Sequence, residues 1–165
     1  MNIEDLKGKV ERYEESVEKV KQNRKYWQES TKPLLIQTLK EIKTSYPIGW
    51  DVQVLDWTTN SEGVNITFGN MPSGITQKSE KSFRHFIKNG GTIVFSQSGN
   101  GNIFIIIRYP SIEEFVSEKE HKLLEMVSPD QITREFIIKK VSVFLEEMTK
   151  WEKSNEEIPL GYLRK

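Results

Sequence analysis

Apolar positions recur at a helical interval from the first residues of the chain. Ile3, Leu6, Val10, Tyr13, Val17 and Val20 are spaced three, four, three, four and three apart, and Trp27 falls on the same frame. This is a heptad seam, interrupted by Arg24 where the next apolar residue is due. Gly8 weakens such a helix by about 1 kcal/mol relative to alanine, which a segment of this length tolerates. Ser30-Thr31-Lys32-Pro33 offers a capping side chain followed by an early-turn proline, so a second helix is predicted to begin there. Its stripe is Leu35, Leu39, Ile42 and Tyr46, and Pro47 and Gly49 end it.

The period then changes to two. Trp50, Val52 and Val54 alternate with Asp51 and Gln53, and Val64, Ile66 and Phe68 alternate with Asn65 and Thr67, joined by Asn60-Ser61-Glu62-Gly63. A second hairpin is predicted from Thr92 to Gln97 and from Asn102 to Tyr109. Gly99-Asn100-Gly101 lies between the two strands, and Asn-Gly suits a tight turn. The continuous apolar run Phe104 to Ile107 predicts a central strand covered on both faces. Between the hairpins, Ser79 to Asn89 reads as a short helix with Phe83, Phe86 and Ile87 on one face and Gly90-Gly91 as its stop. Beyond Pro110 the chain is predicted helical again. Ser111-Ile112-Glu113-Glu114 and Ser128-Pro129-Asp130-Gln131 both match the capping-box pattern. A last long helix carries Ile137, Val141, Phe144, Met148 and Trp151, and residues 155–165 read as a tail.

These elements predict an α+β fold. A four-stranded antiparallel sheet made of two hairpins is flanked by N-terminal and C-terminal helices, with a short helix between the hairpins. The chain reads as a single domain over 1–165, with 1–30 a candidate helical arm. A chain of 165 residues buries roughly two thirds of its unfolded surface and needs no metal or disulfide to fold. Its 36% hydrophobic and 29% charged content suggests long solvated helices around a modest core.

Composition also removes functions. Lysine plus arginine and aspartate plus glutamate number 24 each, so no net field points to nucleic acid or an acidic membrane. The chain has no cysteine, which excludes thiol catalysis, thiolate metal sites and disulfides. The charged N-terminus and the lack of any eighteen-residue apolar run lead us to expect a cytoplasmic protein with no membrane span.

Candidate chemistry is sparse. On the predicted helix, Lys78, Lys81, Arg84, His85 and Lys88 fall within about a 120° arc. Such a face would bind phosphates or simply be solvated. It lacks the interleaved aromatics that stack bases, so nucleic acid ranks third among the readings. Glu118 and His121 form one Glu-x-x-His pair where di-metal helical sites use two, so no metal or cofactor is expected. The other histidine is His85, and Phe95-Ser96-Gln97-Ser98-Gly99 is not a nucleophile elbow, so no catalytic residue is nominated. Trp50 and Trp57 are candidates for an aromatic-lined ligand pocket on the sheet or for an interface. Such a pocket, in a small-ligand-binding domain or an enzyme of unassigned type, is the second reading. The first is a non-enzymatic interaction module that forms a homodimer, or binds a partner protein, through Ile3, Leu6, Val10, Tyr13, Val17 and Val20. The opposing possibility, that this seam packs on the chain's own C-terminal helix, carries equal weight at this stage.

Overall fold

The computed structural model describes residues 1–58, 61–115 and 119–156. A single 3-10 turn, Ile3–Leu6, leads into α1 (Lys7–Tyr26). A π-helical turn over Trp27–Thr31 then carries the chain into α2 (Lys32–Ser45) without a break. The capped start expected at Ser30 to Pro33 is therefore absent. Thr31 is helical, and its hydroxyl donates to the Pro129 carbonyl at 2.9 Å rather than capping a helix. Pro33 has no N–H to offer the carbonyl four residues before it. The wider turn just ahead of it, in which the Lys32 N–H bonds to the Trp27 oxygen, keeps the chain helical. Leu35 and Leu39 are fully buried, whereas Tyr46 lies outside the stripe and is exposed.

Among the described residues eight strands form two antiparallel sheets, where the alternation had predicted one sheet of four. They are β1 (Asp51–Leu55), β2 (Gly63–Thr67), β3 (Asn70–Lys78), β4 (Phe83–Asn89), β5 (Thr92–Gln97), β6 (Ile103–Arg108), β7 (Ser111–Ile112) and β8 (His121–Val127). The larger sheet has the order β1-β2-β5-β6-β8 and the smaller one β3-β4-β7. The two are joined because β2–β3 and β4–β5 are the legs of one long hairpin. Thr67 faces Thr92, the Phe68 N–H donates to Gly91, the Gly90 N–H donates to Gly69, and Asn70 faces Asn89. At this kink a Cβ on Gly90 would lie 2.5 Å from the Gly69 oxygen. The glycines read as a helix stop are instead the close approach that bends the hairpin.

The helix expected over Ser79 to Asn89 is thus a turn followed by β4. Its Phe83, Phe86 and Ile87 spacing suits a helix locally. The ladders to β3 and β7 override that preference, and Phe86 is buried edge-on against Phe115 with ring centroids 5.6 Å apart. The helical expectation after Pro110 fails for the same reason. Ser111–Ile112 pairs with β4, and His121–Val127 pairs with β6. The second capping box does form, with the Ser128 N–H donating to Gln131 Oε1 at 3.1 Å around the turn Pro129–Gln131. The last helix, α3, runs Arg134–Glu156.

One face of the large sheet carries Val64, Ile66, Ile93, Phe95, Ile103, Ile105 and Ile107. These pack with Leu35 and Leu39 of α2 and with Ile137, Val141, Phe144 and Met148 of α3. Tyr109 locks the end of β6 to α3 by donating its hydroxyl proton to Glu147 Oε2 at 2.5 Å. Burial, reinforced by that hydrogen bond and the Glu147 charge, pushes the Tyr109 pKa up to about 12. The opposite face is read off the register. One row runs Leu55, Gly63, Ser96, Phe104, Met126; the next Gln53, Asn65, Val94, Ile106, Leu123; the third Asp51, Thr67, Thr92, Arg108, His121. Among the described residues no helix covers it. The strand Phe104 to Ile107 is therefore internal in the sheet but buried on one face only. No helix of the described residues is long and apolar enough to cross a membrane.

Candidate functional site

The N-terminal helix leaves the domain. Residues 1–19 are all exposed, and Asn23 is the first buried residue of α1. The seam side chains Ile3, Leu6, Val10, Tyr13 and Val17 are between 37% (Val17) and 88% (Ile3) exposed, and Val20 is half-buried. None of them belongs to the core cluster that α2 and α3 build against the sheet. In heptad terms Ile3, Val10 and Val17 occupy a positions, and Leu6, Tyr13 and Val20 occupy d positions. Lys9 and Glu14 flank the stripe at g and e, and Gly8 lies on the outer f position.

Where the stripe ends, the helix docks. Asn23 Nδ2 donates to Asn102 Oδ1 at 3.3 Å, and Arg24 Nη2 donates to the Gly99 carbonyl at 2.8 Å. Both acceptors belong to the β5–β6 turn, whose Gly101 has φ +80° and brings its backbone close to Asn23. One turn further on, Trp27 is completely buried. Its Nε1, Gln28 Nε2 and Lys32 Nζ all donate to Glu62 Oε2, at 3.0, 2.9 and 2.9 Å. Burial pushes the Glu62 pKa up, but the hydrogen bonds from Lys32, Trp27 and Gln28 and the Lys32 charge together outweigh it and hold the carboxyl below its ordinary value. The sequence reading left Glu62 in a hairpin connection. Its partners lie about thirty residues earlier, and no local signal marks the pairing.

The remaining candidate residues are dispersed. Trp50 is buried, donates from Nε1 to the Tyr46 carbonyl at 2.7 Å and stacks on Phe68 at 5.6 Å, so it belongs to the core. Trp57 is 87% exposed past the end of β1. The two do not converge. Because β4 is a strand, the predicted basic arc does not form. Lys81 lies in the turn before β4, and His85 points to the opposite side of the strand from Arg84 and Lys88. Arg84 pairs with Glu113 and Glu114, and Lys88 pairs with Glu152 while lying over the Trp151 ring. Of the Glu-x-x-His pair, Glu118 lies outside the described residues and His121 opens a strand, so the helical spacing that would align them is absent there. Among the described residues no three metal-binding side chains cluster.

Neither a protein-family model, nor a curated protein, nor a solved structure matches the chain. The residues of the arm and their geometry alone carry the functional reading.

Proposed function

We propose that the chain is a non-enzymatic interaction module whose N-terminal helix self-associates with the same helix of a second copy. The observation that carries this reading is the exposed stripe from Ile3 to Val17 on a helix that extends beyond its own domain. A single amphipathic helix of this length is marginal in water, because packing rather than propensity stabilises most helices. Pairing two copies buries both stripes at once.

The side chains favour two parallel strands. All three a positions are β-branched (Ile3, Val10 and Val17), and Leu6 occupies a d position, the combination that prefers dimers. In that arrangement Lys9 at g meets Glu14 at e of the other copy, an attractive pair. Tyr13 at d weakens the seam relative to leucine, so a reversible dimer is expected rather than a permanent one.

Sedimentation equilibrium across a concentration series tests the reading. The full chain is expected to shift from monomer to dimer, and the double variant Val10→Glu, Val17→Glu to remain monomeric with an unchanged melting temperature. A full chain that stays monomeric at the highest concentration overturns it.

A further inference from the structure

The face of the large sheet opposite α2 and α3 ends in a cavity of about 690 Å³, whose lining includes Ile106, Arg108, Ile112, Phe115 and His121. Its described lining comes from β6, from β8 and from described residues of the connection between them. β6 and β8 bring Arg108 and His121 directly opposite each other, and the chain after β7 supplies Phe115 as a wall. Val94, Phe104 and Leu123 continue the apolar floor away from Ile106 along the same face.

Arg108 is the unusual member. Among the described residues the other arginines each hold a partner: Arg12 the Gly8 carbonyl, Arg24 the Gly99 carbonyl, Arg84 the Glu113 and Glu114 carboxylates, and Arg134 the Glu41 carboxylate. Arg108, an exposed residue in the lining of the cavity, makes no hydrogen bond or ion pair among the described residues. Among the described residues the lining also includes Lys119, whose ammonium lies over the Tyr109 ring, and the carboxylate of Glu120. A guanidinium fork matches a carboxylate in two parallel hydrogen bonds, and isoleucine and phenylalanine favour an apolar body.

We infer that this cavity binds a small carboxylate bearing an apolar body, with the carboxylate on Arg108 and the body over Ile106, Ile112 and Phe115. The inference is independent of the arm, which shares no residue with the cavity. Arg108 clamps the head group, His121 borders it, and the floor selects against small hydrophilic anions.

Titration of the full chain with sodium octanoate, followed by amide chemical shifts, tests this. Saturable shifts are expected at Ile106, Arg108 and His121. Arg108→Gln is expected to weaken binding about tenfold or more, the cost of losing a hydrogen bond from a charged group. Because Arg108 has no partner among the described residues, this variant is expected to keep the wild-type spectrum elsewhere, which also serves as its folding control. Acetate and inorganic phosphate are expected to bind at least about tenfold more weakly than octanoate, since they lack the apolar body. Three results would each overturn the inference: no saturable shift at these residues, equal octanoate binding by Arg108→Gln, or acetate or phosphate binding as tightly as octanoate.

Discussion

Arg24 donates a hydrogen bond from Nη2 to the carbonyl of Gly99 at 2.8 Å, and that bond marks where α1 changes from a solvated arm to part of the domain. On the N-terminal side of it the helix carries an exposed apolar stripe; on the C-terminal side it carries the buried Trp27. The residue that breaks the heptad frame therefore also helps, with Asn23, to anchor the frame to the β5–β6 turn.

Replacing it separates the two roles. Arg24→Ala is expected to lower stability by about 1 kcal/mol, the usual net worth of one such bond. It leaves the stripe from Ile3 to Val20 intact, so self-association should persist. A urea midpoint shifted downward with an unchanged m-value, alongside sedimentation of the same variant, checks both halves. An unshifted midpoint would mean that the helix base is held by Trp27 and its neighbours alone.

Gly8 provides the complementary change. It lies on the outer side of the heptad frame, and a Cβ added there meets nothing within 4 Å. Gly8→Ala is expected to favour the helix by about 1 kcal/mol without touching the seam. Helicity by far-ultraviolet dichroism should rise, and the dimer dissociation constant should fall several-fold because pairing is coupled to helix order. No rise in helicity and no gain in association would show that the arm is already fully helical as a monomer.

Glu62 makes the base of the arm sensitive to acid. Its folded-state pKa lies below the 4.5 of an ordinary glutamate, so its ionised form stabilises the fold above that pH. The contribution is lost as pH falls below 4.5 and through the folded-state pKa, because the protonated carboxyl no longer balances Lys32. Glu62→Gln is expected to cost about 2 kcal/mol at neutral pH, in the range for hydrogen bonds to charged groups. The difference in melting temperature between wild type and variant should shrink steadily on acidification. A gap that does not change with pH would rule out the carboxylate charge as its source.

Much of the architecture was legible because hydrophobic period reports which face of a segment is buried. The α1 seam, the Leu35 and Leu39 stripe of α2 and the Ile137 to Met148 stripe of α3 each complete their pattern within one segment. The alternation from Trp50 to Val54, from Val64 to Phe68 and on both sides of Gly99-Asn100-Gly101 likewise marks strands that exist. The Ser128 to Gln131 box also forms, because its partners are three residues apart.

The misread segments are those whose conformation is set by a distant partner. Residues 83–89 space their apolar groups as a helix would, yet become β4 because β3 and β7 complete its backbone hydrogen bonds. β8 lies in a region expected to be helical, and its pairing with β6 includes a register shift that no local rule encodes.

By itself, then, the sequence determined the α+β class, the three long helices and the seam, since each follows from residues that are neighbours along the chain. Tertiary structure alone decided that the seam stands free of the core, that Arg24 meets Gly99, that Glu62 gathers three donors, and that Arg108 pairs with His121 beside a cavity. Those contacts join residues separated by a dozen positions or more. Burial and hydrogen bonding there depend on how the sheet closes, a long-range outcome that no window of sequence contains.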